Sequence, residues 1–372
     1  MKIVVDRNIR GAESSFALHG ELIEMDGREI QKHHLEDADV LIIRTATRAN
    51  AELLEGTAVR FVGTTSIGTD HLDIPWLDQQ GIRWANAPGC NADSAAQYTL
   101  AMTRLACERL GLELENQRVG IIGRGNVGSR LQKLLEALGV ETLANDPPLA
   151  DLGVPDLVSQ AEALACDIVS LHVPLTRDGS CPTWRMISGP QLASMKTGAL
   201  LVNAARGDVV DGPALLEAAN QGTVHAALDV WPGEPLLDPE LLERSTVATP
   251  HVAGYSDDGK RNGTWMVYDA FCAWSGETPQ PRRETGPGRQ SLAIQDPGRA
   301  LEEALDATCF VRQHDTLMRQ LCGREPGQIA RAFDRLRKDY PYRRDFHAWD
   351  VVCKDAGAAQ LLTDLGFVVN KS

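Results

Sequence analysis

One segment constrains the fold of this chain more than any other. A short apolar run at residues 119–122 ends in Gly123-Arg124-Gly125-Asn126-Val127-Gly128, and an amphipathic stretch follows at residues 127–138. Glycines at this spacing carry little information alone; with a strand before them and a helix after them they predict a phosphate-cradling turn. The first glycine permits the tight turn, the second lets backbone approach a pyrophosphate, and the third allows close helix–strand packing. The helix N-terminus, with the free N–H groups of Asn126 and Val127, then faces the phosphates. Asp146 lies 21 residues beyond Gly125, at the end of the next expected strand. A carboxylate there accepts from a ribose 2′-hydroxyl and repels a 2′-phosphate, so the expected ligand is NAD rather than NADP.

The rest of the chain keeps the same rhythm of buried strands and amphipathic helices. Residues 2–5, 40–43 and 60–63 read as parallel strands, with helical spacing at residues 30–35 and 51–54. A long helix is expected over residues 92–110, with Gly111 as its stop. Further strands are expected at residues 119–122, 142–144, 168–172, 199–203, 226–230 and 246–248, and another helix at 263–275. Residues 277–288, rich in Pro, Gly and charge, read as a linker. Beyond it the composition changes. Residues 286–372 hold 13 Lys+Arg against 12 Asp+Glu, a net of +1, whereas the preceding residues carry −15. This tail shows at least two helical stretches and an apolar end at residues 361–369.

Several classes are disfavoured. The net charge of −14 argues against non-specific nucleic-acid binding. No apolar run approaches the roughly 20 residues that span a bilayer. The opening Met1-Lys2-Ile3-Val4-Val5-Asp6 reads as a strand rather than a secretion signal, so a cytoplasmic protein is expected. Eight cysteines lie apart, without a Cys-x-x-Cys pair or zinc-finger spacing to a histidine; reduced thiols and no metal are expected.

Three charged residues follow late strands: Arg206 in Asn203-Ala204-Ala205-Arg206-Gly207, Glu234 in Asp229-Val230-Trp231-Pro232-Gly233-Glu234-Pro235, and His251 in Thr249-Pro250-His251-Val252-Ala253-Gly254. Ligands of open α/β sheets bind outside the carboxyl ends of strands. A guanidinium there can clamp a carboxylate with two hydrogen bonds. An imidazole can accept a hydroxyl proton as hydride leaves the adjoining carbon, and a glutamate can orient the ring and stabilise its charged form.

These motifs, with Leu171-His172-Val173-Pro174-Leu175-Thr176, resemble the D-isomer-specific 2-hydroxyacid dehydrogenases over roughly residues 1–285. The resemblance implies an α/β fold with two doubly wound parallel-sheet domains. A Rossmann NAD domain (93–255) interrupts a flavodoxin-like substrate domain (1–92 and 256–285). It makes Arg206, Glu234 and His251 catalytic. Gly123, Gly125, Asn126, Val127, Gly128, Asp146, Val173, Ala204, Ala205, Arg206, Asp229 and Gly254 become NAD contacts. Within the family, Phe61-Val62-Gly63-Thr64-Thr65-Ser66-Ile67-Gly68-Thr69-Asp70-His71-Leu72-Asp73, Ala87-Pro88-Gly89-Cys90-Asn91-Ala92 and Pro250–Ser256 look most like the branch that oxidises 4-phospho-D-erythronate in vitamin B6 synthesis. That branch implies a smaller α+β C-terminal dimerisation domain (286–372), a homodimer, and Thr45, Ser66 and Tyr255 as substrate contacts. Thr45 stands where the resemblance expects Ser, and Val173 where it expects Thr. The rival readings are a 3-phosphoglycerate dehydrogenase and an NAD-sensing co-repressor built on the same fold.

A phosphorylated hydroxy acid needs cationic donors besides the triad. Arg44 and Arg48 flank Thr45, and the tail offers Arg331, Arg335, Arg337, Lys338, Arg343 and Arg344. The tail set reads either as a solvated helix face or, in the sharper expectation, as the source of Arg343 or Arg344 at the phosphate; otherwise the first domain supplies the donor through Arg44.

Overall fold

A computed structural model describes residues 1–281 and 288–370. The chain divides into two compact units, Met1–Asn91 with Ser256–Gly288, and Ala92–Tyr255 with Arg289–Ser372. The middle of the expected linker, residues 282–287, lies outside the described residues.

The first unit is built on five parallel strands, β1 (Lys2–Asp6), β2 (Glu21–Met25), β3 (Val40–Ile43), β4 (Phe61–Thr64) and β5 (Arg83–Ala85), in the order β2-β1-β3-β4-β5. Alternate residues of the central strands serve opposite faces, as a pleated strand requires. Ile3, Val5, Val40, Ile42 and Phe61 pack with Val267 and Phe271 of the helix Asp257–Ser275. Val4, Leu41, Ile43 and Val62 pack with Leu54 and Leu77 on the other side. Burial on both faces explains why these strands are continuous apolar runs. The edge strands β2 and β5 are only partly buried, so no such run marked them in the sequence. The helical spacing at residues 30–35 yields only a single 3₁₀ turn, Lys32–His34.

The second unit holds β6 (Arg118–Ile122), β7 (Glu141–Asn145), β8 (Ile168–Leu171), β9 (Ala199–Asn203), β10 (Val224–Leu228) and β11 (Val247–Ala248), ordered β11-β10-β9-β8-β6-β7 and parallel throughout. Strand order reverses at β6, so a crevice opens at the end that carries Gly123. β10 lies two residues earlier than the sequence reading placed it. Its register pairs Val224–Leu228 with Ala199–Asn203, which leaves Asp229 and Val230 in the loop.

The tail forms its own small sheet, β12 (Gln290–Ala293), β13 (Trp349–Val352) and β14 (Val368–Asn370), with both pairings parallel. The apolar end at residues 361–369 is the close of the helix Ala356–Asp364, a turn at Gly366, and β14. The tail does not build a core of its own. Leu301, Leu305, Val311 and Phe346 join one cluster with Tyr98, Met102 and Leu105 of the helix Ala92–Leu110. Met318, Leu321, Ile329 and Phe333 join a second cluster with Trp231, Leu241 and Leu242. All eight cysteines are free, and burial pushes the thiols of Cys90 and Cys107 up to about 11. Among the described residues no helix is long and apolar enough to cross a membrane, and no cluster of candidate metal ligands occurs.

One buried histidine makes folding pH-dependent. His314, hydrogen-bonded through Nδ1 to the Tyr98 hydroxyl at 2.9 Å, is held down to about 4 by burial and by the nearby Arg343 charge. The unfolded imidazole titrates near 6.5, so between these values only the unfolded chain takes up the proton, and stability falls as pH falls. Urea unfolding should show a His314-dependent loss on the order of 2 kcal/mol at pH 5 relative to pH 7. The variant His314→Gln should lack that component of the slope.

Candidate active site

The glycine turn has the shape its sequence implies. Gly123 sits at φ +93°, and a Cβ there would lie 2.8 Å from the His172 carbonyl oxygen. A Cβ on Gly128 would come within 2.0 Å of the Gly123 carbonyl oxygen, so the helix Asn126–Ala137 can approach β6 only with glycine at this position. Gly125, by contrast, faces open space, with nothing within 4 Å of where its Cβ would be. It caps the helix without a side-chain hydrogen bond, which leaves the first amides of that helix to a ligand. Val173, following β8, places a side-chain methyl against this turn.

Asp146 directly follows β7 and caps the short helix Pro147–Asp151. Its Oδ2 accepts from the Arg124 amide at 2.8 Å and its Oδ1 from the Leu149 amide at 3.1 Å. The carboxylate is thereby fixed beside the glycine turn, and each oxygen keeps a further lone pair for a hydroxyl donor. A cradle that a Cβ would fill, an open helix end and a tethered acid together fit a dinucleotide.

At the ends of β9, β10 and β11 the three expected catalytic residues take their places. Asn203 shapes the first loop: its amide nitrogen donates to the Arg206 carbonyl at 3.0 Å, and its oxygen accepts from the Ala205 amide at 3.0 Å. Ala204 and Ala205 lie within this braced turn. Arg206 is exposed, and one of its Nη atoms donates back to the Ala205 carbonyl at 2.7 Å.

Glu234 and His251 are brought together as a pair, Oε1 of the carboxylate against Nδ1 of the imidazole. The other carboxylate oxygen accepts from the Trp231 amide at 3.1 Å. Burial alone would push the Glu234 carboxyl up. The His251 hydrogen bond and charge, the Trp231 amide and the nearby Arg337 cation outweigh it and hold the carboxyl below its ordinary value. With Nδ1 engaged, Nε2 is the imidazole nitrogen left for proton exchange.

His251 itself has a left-handed backbone, φ +56°. Its amide donates to the Asp229 carbonyl at 2.7 Å. The Asp229 carboxylate is buried and accepts from the Thr249 hydroxyl at 2.6 Å and from the Val252 and Ala253 amides at 2.9 Å each. Gly254 and Tyr255 follow directly.

Thr45 and Ser66 belong to the other unit, just past the ends of β3 and β4. Thr45 lines an open pocket of about 380 Å³ with Ala46, Arg48, Asp70 and His71. The Ser66 carbonyl accepts from the Ala87 amide at 3.0 Å. Arg44 is tied to the buried Asp6 at 2.8 Å. Burial also corrects the expectation for Arg343. It is 3% exposed and donates to main-chain carbonyls of its own chain, so it is not available to a substrate phosphate.

Sequence reasoning missed Asn203 as the brace of the Arg206 turn, although an asparagine opening a tight turn is a recognisable signal. It grouped Arg337 with the other tail cations without placing it. The structure sets its Nη2 3.5 Å from the Tyr255 hydroxyl, and the Tyr340 ring packs edge-on against Tyr255 with centroids 5.7 Å apart.

Replacing Glu234 by Gln removes the anion that stabilises a protonated partner. The acid limb of the kcat/KM profile for hydroxyl oxidation should then move to lower pH. An unmoved limb would separate the two residues functionally.

The model for the NAD-binding domain of D-isomer-specific 2-hydroxyacid dehydrogenases matches residues 93–253, and one for a domain of unknown function matches residues 290–366. The chain is 43% identical to an erythronate-4-phosphate dehydrogenase of Marinobacter nauticus, covering 98% of this chain and 97% of the relative. It is 42% identical to the enzyme of that name from Pseudomonas entomophila, with 98% of each covered. Its fold is similar to that of D-lactate dehydrogenase from Aquifex aeolicus, solved with NAD and lactic acid. That likeness has a TM-score of 0.60 at 25% identity over 74% of this chain and 96% of the other.

Proposed function

This chain belongs to the D-isomer-specific 2-hydroxyacid dehydrogenases, and on that premise we propose that it oxidises 4-phospho-D-erythronate to (R)-3-hydroxy-2-oxo-4-phosphonooxybutanoate with NAD, a step of pyridoxal phosphate (vitamin B6) synthesis. The observation that carries the chemistry is the Glu234–His251 pair, set at strand ends of the same sheet whose glycine turn fits a dinucleotide. The near full-length similarity to erythronate-4-phosphate dehydrogenases supports the substrate.

When bound, NAD supplies the acceptor for the hydride that leaves C2. Gly123, Gly125, Asn126, Val127 and Gly128 hold its phosphates and Asp146 its ribose. Val173, Ala204, Ala205, Arg206, Asp229 and Gly254 line the rest of its site. The exposed Arg206 guanidinium holds the substrate carboxylate. His251 takes the hydroxyl proton at Nε2, and Glu234, kept ionised, stabilises the imidazolium that results. Thr45, Ser66 and Tyr255 contact the substrate. The segments 1–92 and 256–285 serve the substrate, 93–255 serves NAD, and 286–372 holds a homodimer in the cytoplasm.

The test is NADH formation from 4-phospho-D-erythronate, with 3-phospho-D-glycerate as the competing substrate. Turnover should favour the former, NADP should be a poor substitute, and His251→Asn should lower turnover by roughly 10²–10⁴-fold. Preference for 3-phosphoglycerate would reassign the substrate; NADH binding without turnover of either acid would indicate an NAD-sensing module.

The oligomeric state has its own check. Sedimentation of the full chain should give a dimer mass at micromolar concentration, and a monomer there would remove that role from the tail.

A further inference from the structure

The stretch from Thr249 to Tyr255 carries the catalytic histidine, and buried charges grip its backbone from two sides. On one side the Asp229 carboxylate takes the amides of Val252 and Ala253. On the other, Arg343 takes the carbonyls. Its Nε donates to the Tyr255 carbonyl at 2.9 Å and its Nη2 to the Ala253 carbonyl at 2.5 Å. The same Nη2 reaches the Ser94 carbonyl, 3.2 Å away in the first turn of the helix Ala92–Leu110. The guanidinium carbon lies 5.0 Å from the centre of the Tyr98 ring.

A buried guanidinium is costly unless its donors are met, and a planar fork can meet several carbonyls at once where an ammonium cannot. Here two of the three acceptors are carbonyls of the catalytic loop itself. That loop also contains a non-glycine residue at φ +56°, a conformation that persists only where the surroundings over-determine it. Arg343 belongs to the C-terminal segment, far along the chain from His251, inside the region that matches a domain of unknown function.

We propose that Arg343 is a positioning residue of the reaction. The C-terminal segment fixes the Ala253 and Tyr255 carbonyls through this one guanidinium, and so sets the place of the His251 imidazole against Glu234. The tail is then a structural part of the active site in each chain, whatever it contributes to assembly. The proposal rests on the reading of His251 as the acid–base group.

The full-length variants Arg343→Met and Arg343→Lys test it. Bound NADH is titrated by fluorescence, turnover is expressed per NADH-binding site at saturating substrate, and the thermal midpoint is recorded beside it. Arg343→Met should lose turnover per site on the order of 10²-fold, the cost of misplacing a reacting group by about 1 Å, while Arg343→Lys should lose less. Wild-type turnover per site in Arg343→Met, even with a lowered midpoint, would make Arg343 a stabilising residue only and overturn the proposal. If Arg343→Met does not fold, Arg343→Lys decides: a loss above about threefold per site supports positioning, and a smaller one overturns it. His251→Asn measured alongside separates the two readings. If that variant is unimpaired, the acid–base assignment fails and takes the proposal with it. If it is inactive while Arg343→Met is not, the proposal fails alone.

Discussion

The carboxylate of Asp229, 1% exposed just past β10, accepts hydrogen bonds from the Thr249 hydroxyl and from the Val252 and Ala253 amides, while its own carbonyl takes the amide of His251. An ionised carboxylate is an acceptor only, and in a buried place it must be surrounded by donors. The loop after β11 supplies them and in doing so turns back on β10. That turn holds His251 in its left-handed conformation and presents the imidazole to Glu234. Without an acid at residue 229 the amides of Val252 and Ala253 would lose their acceptor, and the histidine loop would lose its side-chain tie to the end of β10.

The parallel sheet decides where such a loop can be. Every strand of β6 to β11 runs the same way, so all their carboxyl ends, and the loops that follow them, lie on one side. The glycine turn after β6, the Asn203-braced turn after β9, the Glu234 loop after β10 and the His251 loop after β11 therefore all lie along one edge of the sheet. The charges follow the same logic. Glu234 is held below its ordinary value despite burial because the His251 imidazole, the Trp231 amide and the Arg337 cation face it. An ionised Glu234 is what makes a protonated His251 tolerable in that setting.

The C-terminal segment enters this arrangement through the core. Its helices share apolar clusters with the helix Ala92–Leu110 and with the Trp231 loop. Tyr340, Arg337 and Arg343 come with them to Tyr255 and the carbonyls beside it. Tail residues thus complete two apolar clusters of the unit they share with residues 92–255 and hydrogen-bond to its His251 loop.

The features legible in the amino-acid order are those whose physics is local. β-branched runs marked the central strands, because a strand buried on both faces must be apolar throughout. Gly123, Gly125, Gly128 and Asp146 were legible because a dinucleotide turn needs those residue types at those spacings within one strand–helix unit. Arg206, Glu234 and His251 were legible as residues at strand ends. The pairing of Glu234 with His251 came only from that position and from family resemblance, and the structure shows its hydrogen bond. What tertiary structure alone decided is long-range and electrostatic. The edge strands β2 and β5 are strands because a neighbour pairs with them, not because of their own half-exposed pattern. The six cations noted in the tail look alike in sequence. Arg343 differs from Arg331 or Lys338 only in that folding carries it under the loop of His251, where the cost of burying a guanidinium is offset by main-chain carbonyls distant in the chain. No local pattern encodes that, because the partners of a buried charge are chosen by packing.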